Sequence, residues 1–136
     1  MRLEPLEITD MTSTPSITVA SPGRVQKIVV AEDFSRTPGG RFIKTGPHSG
    51  ELFRERVLAP LLTRHEVDEV VVDLDGVDTY IGSFLEEAFG GLLRMGTLTY
   101  EDVAGRLRIV ASGEFEVYRD LALKYIRDEA RRHKAH

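Results

Sequence analysis

Residues 70–94 constrain the fold of this chain more than any other segment. They open with Val70-Val71-Val72-Asp73-Leu74, an almost continuous apolar run, which predicts a central strand covered on both faces by helices. After Gly82-Ser83, apolar side chains recur at three- and four-residue spacing, which predicts an amphipathic helix with one buried face. A buried strand followed by such a helix is typical of an α/β domain.

The start of this helix is the first candidate site. The run Gly82-Ser83-Phe84-Leu85-Glu86 satisfies the capping-box rule, with Ser83 as the cap and Glu86 reaching back to its amide. Glu86 and Glu87 are expected to face solvent. The same position follows a central strand, where open α/β sheets bind ligands and where helix amides favour an anion. Gly82, Ser83 and Glu86 are therefore candidate partner contacts, and Ser83 is also a candidate phosphoacceptor.

Three further strands and two further helices follow from β-branched runs and from helical apolar spacing. The strands are 25–30, 41–44 and 107–111, and the helices are 49–62 and 114–132. The first two strands are expected to form an antiparallel pair. The resulting order, β-β-α-β-α-β-α, predicts an α/β fold with a mixed sheet of about four strands and helices packed against it.

Residues that disfavour helices lie inside two of the predicted helices. The ring of Pro60 would clash with the carbonyl of Arg56, which predicts a kink there, or a restart with Pro60 in the first turn. Gly90 and Gly91 each cost about 1 kcal/mol relative to alanine. Two such glycines in succession predict close backbone packing, with the sheet as the expected neighbour.

Composition excludes several classes of protein. The absence of cysteine excludes disulfides, thiolate zinc sites and a cysteine nucleophile. No apolar run approaches the roughly 18 residues of a spanning helix, and the N-terminus lacks a signal-peptide core. A net charge of -4 gives no general attraction to nucleic acid or an anionic membrane. We therefore expect a cytoplasmic protein.

The chain is expected to form one domain with a leader. Residues 1–23 mix Thr, Ser and Pro, which predicts a flexible segment, with Met11 as an alternative start to Met1. A brief edge strand at 17–19 is the one element expected there. Residues 24–136 are long and apolar enough for a single α/β domain with its own core.

Two glycine-rich loops form the second candidate site. They span 37–41 and 46–51, and the latter opens directly into a helix. Such loops can bind an anion, so Arg41, His48, Ser49 and Gly50 are candidate ligand-binding residues. Neither loop has the Walker or the dinucleotide pattern. The structural alternative is a pair of tight turns in which Ser49 is an ordinary helix N-cap.

Metal and catalytic sites have little support in the sequence. Asp73, Asp75 and Asp78 cluster after the central strand, but the later ligands of an EF-hand are missing, so no metal is predicted. Asp73 is expected to accept hydrogen bonds from loop amides. Only His48 is placed as a base for a Ser83 nucleophile. We therefore predict a non-enzymatic protein without a cofactor.

Three blocks closely resemble a bacterial STAS-like domain family of unknown function. They are EDFSRTPGGRF at 32–42, GPHSGELFRE at 46–55 and YIGSFLEEAFGGL at 80–92, and the third is the most specific. The resemblance covers roughly residues 27–95, and the last third of the chain is similar in architecture only. It implies a STAS-like fold.

The STAS domain proper is the fold of anti-sigma-factor antagonists. The resemblance implies a non-enzymatic switch that binds a kinase of the GHKL ATPase type and carries its phosphoserine in an Asp-Ser-Ser/Thr-Gly motif. That motif corresponds to residues 81–84, where Ile81 replaces the aspartate and Gly82 the usual phosphoacceptor. Ser83 alone keeps a hydroxyl.

The predicted function is therefore a regulatory module that binds a protein partner, a kinase or ATPase, through the start of the Ser83 helix. The alternative is a sensor of a small ligand or nucleotide that uses the loops around Arg41 and His48.

Overall fold

The computed structural model describes residues 24–135 and contains one parallel sheet within them. Its strands are β1 (Val25–Val29), β2 (Glu69–Asp73) and β3 (Leu107–Val110), in the order β1-β2-β3. Both pairs are parallel, and the register places Val71 between Lys27 and Arg108. β2 is therefore the central strand.

Within residues 24–135, four helices connect and follow the strands. Helix α1 (50–62) consists of Gly50–Phe53, a π-helical turn Arg54–Leu58 and Ala59–Leu62, and α2 (82–94) likewise consists of Gly82–Leu85, Glu86–Gly90 and Gly91–Arg94. The others are α3 (Tyr100–Ala104) and α4 (Glu116–Ala135). Shorter turns are Val30–Phe34, Ile43–Thr45 and Gly113–Phe115.

The helices cover one face of the sheet. Val70, Val72 and Leu74 are fully buried in the hydrophobic core, whereas Val71, which points the other way, lies outside that core cluster. The prediction of helices on both faces is therefore wrong for residues 24–135. Val71 is nevertheless buried, and its neighbours on the adjacent strands are Lys27 and Arg108.

The predicted second strand at 41–44 is also wrong, and so is the antiparallel pair. The chain turns there instead: Gly40 has a φ of 84°, and Thr45 closes a short 3-10 turn by donating its amide to the Phe42 carbonyl. The Thr45 hydroxyl bonds both backbone groups of Phe42. The described sheet thus has three strands, and the strand expected at 17–19 lies outside the described residues.

Helix α1 passes through Pro60 by widening its preceding turn. The Ala59 amide donates to the Arg54 carbonyl, five residues back, and α-helical geometry then restarts with Pro60 in its first turn. This confirms the predicted restart. The wider turn relieves the clash that a Pro ring makes with the carbonyl four residues earlier.

Candidate functional site

The start of α2 follows the loop that leaves the C-terminal end of β2. Ile81 is the N-cap residue, in extended conformation, and 50% of its surface is exposed. No side chain of the described residues caps this helix. The predicted capping box on Ser83 and Glu86 is wrong because the helix begins at Gly82, which places Ser83 inside the first turn.

A loop and a helix flank this start. On one side, the Ile81 side chain lies 3.3 Å from the position that a Cβ on Gly39 would occupy. On the other side, the Tyr125 hydroxyl of α4 lies 3.4 Å from the corresponding position on Gly82. Ser83 is partly exposed, and its hydroxyl has no hydrogen-bond partner among the described residues. We call Ile81, Gly82, Ser83 and Gly39 the α2-start surface.

Glu86 and Glu87 do not face solvent as predicted. The Glu86 carboxylate is hydrogen-bonded to Arg41 and accepts a bond of 2.9 Å from Arg94. Glu87 is buried and accepts a bond of 2.6 Å from Arg54. Both glutamates are thus held by arginines from elements distant in the sequence.

Arg54 is the most buried of these arginines, with 6% of its surface exposed. It projects from α1 and also donates to the backbone carbonyl of Glu87 at 2.8 Å. Gly91 makes room for it, since a Cβ there would lie 2.3 Å from the guanidinium. The backbone packing on the sheet predicted at Gly91 is wrong, because the close neighbour of Gly91 is the Arg54 side chain. Sequence reasoning missed Arg54, although its spacing from Gly50 and Leu58 places it on the buried face of α1.

Arg94 connects the glutamates of α2 to helix α4. It donates to Glu129 at 2.8 Å, and Arg132 reaches the same carboxylate at 2.7 Å. The resulting arginine–glutamate network joins the 39–48 loop, α1, α2 and α4. Its members are Arg41, Arg54, Glu86, Glu87, Arg94, Glu129 and Arg132.

Charge within the network controls the ionisation of Glu86. Partial burial acts to raise the pKa of this carboxyl, but hydrogen bonds from Arg94 and Arg41 outweigh that effect and hold the pKa below its ordinary value. Glu86 therefore stays ionised at neutral pH, with its charge compensated by two arginines.

The glycine-rich loops are held together at the start of α1. Gly39 donates to the His48 carbonyl at 2.9 Å, and the His48 ring packs edge-on against Phe34 with centroids 5.7 Å apart. Ser49 is buried and accepts from the Leu52 amide at 3.1 Å, so its role as an N-cap is confirmed. Gly50 packs against the backbone of α2. Ligand binding by Arg41, His48, Ser49 and Gly50 stays a prediction.

The aspartates after β2 organise a loop. Asp73 accepts from the Asp75 amide at 2.9 Å, which confirms its expected hydrogen bond to a loop amide. Asp75 in turn accepts from the Ser112 amide at 2.9 Å and so joins this loop to the end of β3.

Within the part of the chain that the structure describes, no three potential metal ligands come together. No described helix is long and apolar enough to cross a membrane.

Comparison with known proteins finds a family model that matches the region containing α2. The family model of the STAS-like domain of unknown function (DUF4325) matches residues 49–114. The match includes the 80–92 block, begins later than the resemblance over 27–95 and extends further toward the C-terminus. No curated protein and no solved structure matches the chain. Through residues 49–114, the chain is similar to the family of STAS-like domains of unknown function.

Proposed function

We propose that this domain is a non-enzymatic regulatory module that binds a protein partner at the α2-start surface. One observation carries the proposal: a large β-branched side chain, Ile81, is half exposed at a helix N-cap, where Ser, Thr, Asp or Asn is usual. A partner that covers Ile81 would bury apolar surface and approach the uncapped first-turn amides at once.

The chemistry of the surface indicates what a partner must supply. First-turn amides favour a carboxylate, carbonyl or phosphate oxygen, and Ile81 is suited to an apolar pocket. The arginine–glutamate network holds α2 against the loop and two helices, so less ordering is needed on binding. Similarity to STAS domains supports a kinase or ATPase of the GHKL type as the partner.

Ile81→Asp is expected to weaken partner binding and leave the fold intact. An aspartate N-cap contributes about 1 kcal/mol, and loss of a half-buried isoleucine costs about as much, so stability should change by less than about 1 kcal/mol. A charge at the centre of the contact should weaken binding at least about tenfold. The measurement is quantitative capture of partners from cell lysate with each immobilised variant, alongside thermal unfolding.

Tyr100→Asp provides the matched control. Tyr100 is also a large, partly exposed residue (37%) at the start of a helix, α3, beyond the far end of α2. This variant should retain every protein that the wild type captures. Equal capture by Ile81→Asp and Tyr100→Asp would contradict binding at the α2-start surface.

Phosphorylation of Ser83 is the regulatory step that we propose for this surface. Ser83 is partly exposed and lies in the first helical turn, where a phosphate is stabilised. Glu86 lies one turn away on the same face, but its pairing with Arg41 and Arg94 reduces the repulsion. Incubation with ATP and lysate should therefore add one phosphoryl group, located at Ser83 by peptide mass mapping and absent in Ser83→Ala. An unmodified Ser83 would contradict this step.

A further inference from the structure

One edge of the sheet is open to strand addition. Val70 donates to the Arg106 carbonyl and Leu74 to the Val110 carbonyl, so the even-numbered residues of β3 face β2. Backbone amide and carbonyl groups alternate in direction along a strand. The amide and carbonyl groups of Leu107 and Ile109 therefore point away from β2, toward the outer edge of the sheet. Among residues 24–135 no strand lies on that side. Such unpaired edge groups are a template for another strand.

The opposite edge differs. Arg24 accepts from the Glu69 amide, so the odd-numbered residues of β1 point outward. The outward amide of Val29 is occupied, because it donates to the Asp33 carboxylate at 2.7 Å. A side chain that binds an edge amide blunts that edge against strand addition. In the described chain, β3 is therefore the edge better suited to pairing.

We propose that β3 pairs with β3 of a second copy of this chain in an antiparallel, twofold-symmetric dimer. In the register that uses the outward groups, Ile109 faces its own counterpart and Leu107 faces Ala111 of the second copy. These pairs exchange about six backbone hydrogen bonds. The two sheets become one continuous sheet of six described strands.

The side chains are self-complementary in this register. On the helix-covered face, Leu107 and Ala111 are partly buried and meet as a large and a small apolar residue. On the open face, Arg108 lies opposite Val110 of the second copy. Arg108 is exposed and pairs with Glu69 of its own chain at 3.3 Å. Because Val110 is the strand neighbour of Asp73, Arg108 would also lie on the same face as Asp73 of the other copy, one strand beyond Val110. This charge complementarity favours a second copy as the occupant of the edge.

Two lysine substitutions test the pairing. Val110→Lys and Val29→Lys each place a lysine beside Asp73, on opposite edges of the same face. Only Lys at position 110 would lie opposite Arg108 of the second copy, where like charges repel. By sedimentation velocity, we expect a concentration-dependent dimer for the wild type and Val29→Lys. Dimerisation of Val110→Lys should be at least about tenfold weaker.

A charge reversal completes the test. Adding Arg108→Glu to Val110→Lys would place opposite charges across the interface and should restore the dimer. A wild-type chain that stays monomeric up to about 1 mM would overturn the proposal, as would equal loss of dimer in both lysine variants. Failure of the double variant to dimerise while its thermal unfolding remains cooperative would overturn the proposed register.

Discussion

Replacing Gly50 with alanine is expected to destabilise the domain by about 3 kcal/mol. Helix propensity alone predicts the opposite sign, since alanine is favoured over glycine by about 1 kcal/mol inside a helix. Packing decides the outcome: a Cβ on Gly50 would lie 2.4 Å from the Phe84 carbonyl oxygen and 3.1 Å from the Ala88 nitrogen. Both are backbone atoms of α2 and cannot rotate away. Urea unfolding of the variant measures the effect.

Gly46→Ala is the control for this substitution. Gly46 belongs to the same glycine-rich loop and has extended backbone, and the nearest atom to a Cβ there lies at 3.9 Å. Its stability should stay within about 0.5 kcal/mol of the wild type. Equal destabilisation by both substitutions would show that the close contact of α1 with α2 is not the cause.

Glu87→Ala should cost about 3 to 5 kcal/mol, because it leaves the Arg54 guanidinium buried without its closest carboxylate. Arg54 is already incompletely hydrogen-bonded, since its Nε atom lacks a hydrogen-bond partner in the described structure. Its remaining bond to the Glu87 backbone carbonyl carries no compensating negative charge. Chemical denaturation measures the loss.

The matched control removes the other carboxylate beside the same arginine. Glu55 lies 3.7 Å from the Arg54 guanidinium, but its side chain is 50% exposed. Glu55→Ala should therefore cost less than about 1 kcal/mol, as is usual for an exposed ion pair. A similar cost for Glu55→Ala and Glu87→Ala would refute the role of burial.

Local patterns predicted the elements around the central strand correctly. The apolar run at 70–74 became β2, and the helical spacing after Gly82 became α2. The Ser49 N-cap and the restart at Pro60 were also predictable, since each depends on residues within one or two turns. The family match over residues 49–114 includes both of these elements.

The incorrect predictions share a physical cause. Alternation at 41–44 is typical of a strand, but Arg41 is held by Glu86 and Glu87, more than 40 residues away. Glu86 fits a capping box locally, yet two arginines bind its carboxylate. The pairs of Glu86 with Arg41 and of Glu87 with Arg54 join distant segments and outcompete short-range rules, and nothing in the local pattern shows them.

The sequence by itself determined where β2 and α2 form, because apolar periodicity and helix-start signals act over a few residues. Only the tertiary structure decided which side chains are exposed at the start of α2. Glu86 and Glu87 turn inward to arginines of the 39–48 loop and α1, whereas Ile81 is left half exposed with Ser83 beside it. Which side chains are buried depends on partners that folding alone brings together.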